Sequence, residues 1–296
     1  MEFKKDFLFG VATAAYQIEG GFDEDGKGRS IWDTFCDTPG KVARGENGKV
    51  ANDHYHRWRE DVAIMKQLGV NSYRLSLAWT RMFPDGTLSS RNEKGFEFYN
   101  NLIDELIANG IEPIISLYHW DLPQKLEDKG GWANRDTVFR FAEYASAVVE
   151  KFGDRIQNWL TINEPWCVSW LGYMSGVHAP GVRDVDAALA AAHHTALAHG
   201  YASRAMKLVN PSIRTGIAVN MTNYRIADDA TDEVRELADL MDAQLNRWWI
   251  DAYTSGHYPQ NLVDFHGDRL EKLILPGDQD MLRVDTAFLG INYYSD

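Results

Sequence analysis

Segments that read as buried strands alternate with segments that read as helices along the whole of this 296-residue chain, and that alternation leaves few folds open. Tyr73-Arg74-Leu75-Ser76-Leu77 alternates apolar and polar side chains with the period of a strand. Residues 7–13, 111–118, 156–162, 213–220 and 286–292 read as further strands. Between them, Trp58, Val62, Met65 and Leu68 recur at helical spacing, with Asp53 placed to cap that helix and Gly69 to end it. Residues 92–109 form the next helix. Residues 134–152 begin at the capping Asn134 and put Val138, Phe141, Ala145, Val148 and Phe152 on one face. Gly153 closes that helix at a position that favours a left-handed residue. Residues 186–209 are an alanine-rich helix stopped by Asn210-Pro211. Residues 231–255 read as one helix with Val234, Leu237, Met241, Leu245 and Trp248 as its apolar stripe. Residues 21–52 show no period and read as a long loop over one mouth of the fold, a kind of loop that is often functional.

Strands alternating with helices imply a parallel sheet. No glycine-rich phosphate loop follows any strand, which disfavours a nucleotide-binding doubly wound sheet. Polar groups gather instead at strand ends: Gln17, His119, Asn163, Glu164, Asn220, Asn292 and Tyr294. Function spread over the ends of many strands is the pattern of a TIM barrel. The expected fold is therefore α/β, a TIM (β/α)8-type barrel, as a single domain over residues 1–296. Six strand–helix units are counted rather than eight, and the sequence stops directly after the sixth strand. The expectation is an incomplete barrel, apparently truncated after that strand, with two unpaired edges.

A formal net charge of −13 argues against a nucleic-acid or anionic-membrane partner. The amino terminus has no long apolar run behind it, so no signal peptide or membrane span is expected, and a cytoplasmic setting is the default. Cys36 and Cys167 belong to no paired spacing, and His193, His194 and His199 lie on an apolar helix without a carboxylate at ligand spacing. Neither a disulfide framework nor a metal site is expected.

The stretch Trp159-Leu160-Thr161-Ile162-Asn163-Glu164-Pro165-Trp166 concentrates the chemistry. Bulky apolar residues run into an Asn-Glu pair, and Pro165 stops the strand at once. Glu164 therefore falls at the carboxyl end of a buried strand, placed to act as a general acid on a polyhydroxylated substrate. Arg74 lies on a strand face, where a buried charge needs a partner. It is either half of a structural ion pair or a cation held beside a catalytic carboxylate. His119, followed by Trp120-Asp121, is either a packed histidine or a hydrogen-bond donor to hydroxyls.

Four motifs, in order and spanning nearly the whole chain, give these residues a family. Phe7-Leu8-Phe9-Gly10-Val11-Ala12-Thr13-Ala14-Ala15-Tyr16-Gln17-Ile18-Glu19-Gly20, Tyr118-His119-Trp120-Asp121-Leu122-Pro123, Thr161-Ile162-Asn163-Glu164-Pro165 and Gly290-Ile291-Asn292-Tyr293-Tyr294 resemble the β-glucosidases of glycoside hydrolase family 1. The resemblance implies a (β/α)8 barrel and retaining hydrolysis of β-glycosides, with no cofactor required. It implies Glu164 as general acid/base, Tyr294 as a donor to the nucleophile and Arg74 beside it. Gln17, His119, Trp120, Asn163 and Asn292 would surround the sugar, with Asn163 near the 2-hydroxyl. Trp166, His178 and Asn220 would line the leaving-group side.

A retaining enzyme needs a second carboxyl group about 5–5.5 Å from the first. The family takes it from an Ile/Val-Thr-Glu-Asn-Gly motif after the seventh strand, and no such motif occurs in this sequence. The isolated chain is therefore expected to have little or no retaining activity, or to need a carboxy-terminal complementing chain. A non-catalytic barrel fragment that self-associates or binds a ligand in the gap is the competing reading. A 6-phospho-β-glucosidase is a third, because the residues that would distinguish phosphorylated sugars belong to the absent eighth unit.

Overall fold

The computed structural model describes residues 3–294. It contains six parallel strands in one sheet: β1 (Gly10–Ala12), β2 (Ser72–Ser76), β3 (Glu112–Tyr118), β4 (Asn158–Asn163), β5 (Arg214–Asn220) and β6 (Phe288–Asn292). Their spatial order equals their chain order, and every neighbouring pair is parallel. That topology is a barrel wall: each strand from β1 to β5 is followed by a helical connection that returns the chain to the same end of the sheet. Helices His54–Leu68, Glu93–Ala108, Asp136–Phe152 and Val185–Val209 pack outside the strands.

The sandwiching explains why the central strands read as apolar runs. In β3, β4 and β5 nearly every residue is buried, on both faces, as parallel sheets require. Trp159, Ile162, Ile115 and Leu117 are wholly buried and join Phe141, Val148 and Phe152 of the covering helix in one core. β6 differs. Its residues alternate between partly buried and exposed, and Leu289 and Ile291 face outward at 42% and 57% exposure.

Several local readings need correction. The first strand is three residues, not seven: Phe7 and Phe9 lie before it, exposed, in an aromatic cluster with Phe3. The stretch expected as a featureless loop contains the helix Ile31–Asp37, fixed by a capping box. Ser30 Oγ accepts the Asp33 backbone N–H at 3.3 Å while Asp33 Oδ2 accepts the Ser30 N–H at 2.8 Å. Asp53 stands at its helix start with a positive φ of 56° and makes no capping bond, binding His56 Nδ1 at 2.6 Å instead. Gly153 is not left-handed, with φ −69°. A side chain there would meet the Val149 carbonyl oxygen at 2.6 Å, so close approach accounts for the glycine.

The expected single helix over 231–255 is three pieces: an α-helix Asp232–Asp242, a π-helical turn Ala243–Arg247 and an α-helix Trp248–Ser255. The π turn rotates the stripe. Trp248 enters the core, while Val234, Leu237 and Met241 are left exposed.

Candidate active site

The carboxyl ends of β2, β4 and β6 converge on one polar cluster. A register shift between Leu160 and Asn163 separates β4 from regular pairing with β5 just before the Asn-Glu pair. Glu164 then adopts a left-handed backbone, φ 50°, with its N–H donated to the Ala218 carbonyl at 2.7 Å. A glutamate rarely occupies that region, and such strain clusters where a side chain must be re-aimed. The consequence is that consecutive residues Asn163 and Glu164 both reach the same mouth, although strand alternation would send them to opposite faces.

Glu164 is 4% exposed. Asn292 Nδ2 donates to its Oε1 at 2.5 Å, and the Cys167 thiol donates to its Oε2 at 3.2 Å. Asn292 Nδ2 also donates to Asn163 Oδ1 at 2.9 Å, and Arg74 Nη2 donates to that same oxygen. Arg74 Nη1 reaches Asn292 Oδ1 at 3.4 Å. Arg74 is thus held by two neutral amides. Burial lowers its affinity for its proton, while the charges of Glu164 and Tyr294 act in the opposite sense. Arg74 makes no ion pair among the described residues, and the Glu164 carboxyl acts on it only through its charge.

His119 is fixed as a neutral ring. Asn163 Nδ2 donates to its Nε2 at 3.2 Å, which leaves the proton on Nδ1. Burial and the Arg74 charge push its pKa down to about 3. The Nδ1–H is buried without a protein partner among the described residues, and so is a donor in search of an acceptor. Trp120 has a positive φ of 77°, and its indole N–H donates to the Asn163 carbonyl at 2.8 Å. Its ring lies 5.2 Å from that of His178, which in turn lies 5.5 Å from Trp32.

Gln17, His119, Trp120 and His178 line one open cavity of about 460 Å³ together with Tyr16 and Trp32. Burial lowers the pKa of His178, against the pull of the Glu164 charge. Asn220 pairs in register with Asn292, and its side-chain oxygen has no partner among the described residues. Trp166 falls in a separate apolar groove with Trp170, Met174, Leu237, Met241 and Phe265. Tyr294 is 85% exposed, and the partial desolvation of its phenol together with the Glu164 charge raises its pKa.

Three contributors escaped the sequence reading. Cys167 sits one helical turn past Glu164, and Trp32 follows the capping Ser30-Ile31; neither spacing signals a role. The third is a buried ion pair below the site. Arg81 Nε donates to Glu19 Oε2 at 3.0 Å, and Tyr99 donates to the other oxygen. The glutamate of the first motif is therefore a structural anchor.

The carboxyl ends of this barrel wall thus gather a buried carboxyl group, an arginine, three amides and a neutral histidine. The model of glycosyl hydrolase family 1 matches residues 1–296, and the chain belongs to that family. It is 45% identical over 294 residues to β-glucosidase A of Acetivibrio thermocellus, a match covering 99% of this chain and 65% of that one. The crystal structure of the AHE enzyme from Alicyclobacillus herbarius superposes with a TM-score of 0.95 at 46% identity, covering 100% of this chain and 66% of that chain. Virulence factor SghA of Agrobacterium tumefaciens, in complex with its substrate analog salicin, gives a TM-score of 0.95 at 42% identity, covering 99% and 64%. The chain thus spans just under two thirds of the length of the relatives it matches. Among the described residues, no helix is long and apolar enough to cross a membrane.

Proposed function

We propose that this chain carries the acid/base half of a retaining β-glucosidase site, with Glu164 as general acid/base for cleavage of small β-glycosides. The observation that carries the reading is the Glu164 carboxyl itself. It is buried, held at both oxygens by donors, and aimed into the mouth by a strained backbone. Neutral His119, with its free Nδ1–H, donates to a sugar hydroxyl, and Gln17 reaches the same cavity. Trp120 offers a ring face. Asn163 takes the 2-hydroxyl, and Arg74 and Asn292 orient it. His178 and Asn220 are assigned to the leaving-group side together with Trp166 in its separate apolar groove, and Tyr294 to the side on which a nucleophile would stand. The relative in complex with salicin supports an aryl β-glucoside as the first substrate to try.

Retention needs a second carboxyl about 5–5.5 Å away. The acidic groups that act on Arg74 are Glu164 and the Tyr294 phenol. In our reading the 296 residues alone are catalytically incomplete, and a segment bearing a second carboxylate beside Arg74 restores turnover. The test is aryl β-glucoside hydrolysis by the chain, with and without a companion polypeptide supplying the later barrel units. Turnover only in the mixture, abolished by Glu164→Gln, supports the reading. Equal turnover by the chain alone overturns the incomplete-site part of it.

A further inference from the structure

A small cavity of mixed lining lies against Asp121, the residue after Trp120. Its free volume for the centre of a water-sized guest is about 10 Å³, which suits one water molecule. Glu19, Lys27, Asp33, Thr80 and Asp121 are among its lining residues. Three side-chain oxygens of these lining residues, Asp33 Oδ1, Thr80 Oγ1 and Asp121 Oδ1, are buried without a hydrogen-bond partner among the described residues. Their residues are 1%, 0% and 2% exposed. Orphaned buried oxygens are costly, and three on the lining residues of one water-sized space call for a shared partner.

The charges around the cavity do not balance. Glu19 is paired with Arg81, and Asp33 faces Lys27 at 3.5 Å. Asp121 has no cation within ion-pair distance among the described residues, so its ionisation would leave one negative charge in surplus. Burial, and then the charges of Glu19 and Asp33, push its pKa up to about 7 against the pull of Lys27. The other titratable groups facing it, Tyr118 and Tyr144, are held neutral by burial.

Asp121 follows directly on Trp120, whose positive φ of 77° has to be imposed by its surroundings. The loop beyond is clamped to the helix Ile31–Asp37. The Ile31 N–H donates to the Leu122 carbonyl at 2.9 Å, and the Gln124 N–H to the Arg29 carbonyl at 2.9 Å. Asp121 is the one polar side chain of this loop that enters the cavity.

We propose that the cavity binds one ordered water shared by Asp121, Thr80 and Asp33, and that Asp121 acts through it as a positioning residue for Trp120. The inference rests on the reading of the Glu164 mouth as a saccharide site. A protonated Asp121 donates to the water, and the water donates on to Asp33. Ionisation of Asp121 reverses the first bond and loosens the loop from below.

The probe is an uncleaved neutral aryl β-thioglucoside, titrated calorimetrically into the full chain from about pH 5 to about pH 8. Asp121→Asn keeps a donor and an acceptor at every pH; Asp121→Leu keeps neither. Wild-type affinity falls about tenfold across that range, a change of one pH-linked unit of binding constant. Asp121→Asn holds its affinity flat, and Asp121→Leu binds at least about tenfold more weakly throughout with an unchanged circular dichroism spectrum. The difference between wild type and Asp121→Asn isolates Asp121 from Glu164 and His178, which are common to both. Identical pH profiles for those two proteins overturn the proposal, even should Asp121→Leu fail to fold. No binding by any protein would instead sink the saccharide reading. The water site is then decided by a high-resolution crystal structure of the chain, where density bridging Asp121 and Thr80 sustains it and an empty cavity overturns it.

Discussion

β3 and β6 are both short, apolar strands of the same parallel sheet, yet they live in different solvents. In β3 the four residues from Ile115 to Tyr118 are buried, enclosed by β2, β4 and the covering helices. In β6, which pairs on one side only within the described residues, Leu289 and Ile291 are exposed. The same contrast runs through the site. Asn163 and Glu164, at the enclosed end of β4, are fixed by several bonds each, whereas Tyr294, just past β6, is 85% exposed. The comparison teaches that sequence pattern sets which face is apolar, but neighbours decide whether that face is dry. It also divides the proposed chemistry: the sugar-binding and acid/base groups are preorganised, and the nucleophile's side is not.

The contrast breaks most visibly where a charge sits inside the enclosed half. Glu19→Leu strands Arg81, which is 1% exposed, and removes its anion. Urea denaturation is expected to show a loss of about 3–5 kcal/mol. A matched pair of truncations comes next. Ile115→Ala, at a wholly buried position, costs about 2–5 kcal/mol, while Ile291→Ala, at 57% exposure, stays within about 0.5 kcal/mol. An equal loss at the two sites would mean that the β6 face is covered in solution, by a second copy or another segment, and light scattering would then report the association.

Two pH effects sharpen the comparison further, with opposite signs. Burial depresses His119 and His199 to about 3 and His194 to about 4. Each contributes stability that is present above the unfolded value near 6.5 and lost as pH falls toward the folded value. Acid unfolding is therefore expected to begin well above the carboxylate range, and His199→Gln to soften it. Glu127 behaves the other way. Burial raises it to about 7, partly offset by the Tyr173 hydroxyl, which donates to it at 2.5 Å. Its native state holds a proton that the unfolded chain releases, so stability declines as pH rises from about 4 to about 7. Glu127→Gln removes that decline, and the change in melting temperature between the two ends of the window measures it.

Much of the fold could be read from periodicity because buried parallel strands and amphipathic helices repeat at fixed spacing. The strand ends gave Glu164, Asn163, His119 and Asn292 correctly as one gathering. What escaped depended on contacts rather than patterns. The capping box of Ser30 and Asp33 is visible in spacing, but it hides inside a stretch rich in Gly and Asp. Gly153 is dictated by the Val149 carbonyl oxygen of its own helix, 2.6 Å from where its side chain would stand, a local close approach that mimics the left-handed helix-ending signal. The stripe from Val234 to Trp248 is continuous in sequence, and only the π turn at Ala243–Arg247 splits it into an exposed and a buried half. Arg74 needed a partner, and an ion pair was one reading; two amides serve instead. Cys167 and Trp32 reach the site through backbone geometry that no spacing rule encodes.

The central claim is that Glu164 is a competent general acid/base in a site whose second carboxylate lies outside these 296 residues. Single-turnover and steady-state hydrolysis of an aryl β-glucoside by the purified chain, with Glu164→Gln alongside and the intact mass verified, tests it most directly. The account expects no turnover above that of Glu164→Gln from the chain alone, with turnover appearing when a carboxylate-bearing segment is supplied. Sustained turnover by the chain alone that disappears in Glu164→Gln would contradict it, and would mean that a carboxylate within these residues already completes the site.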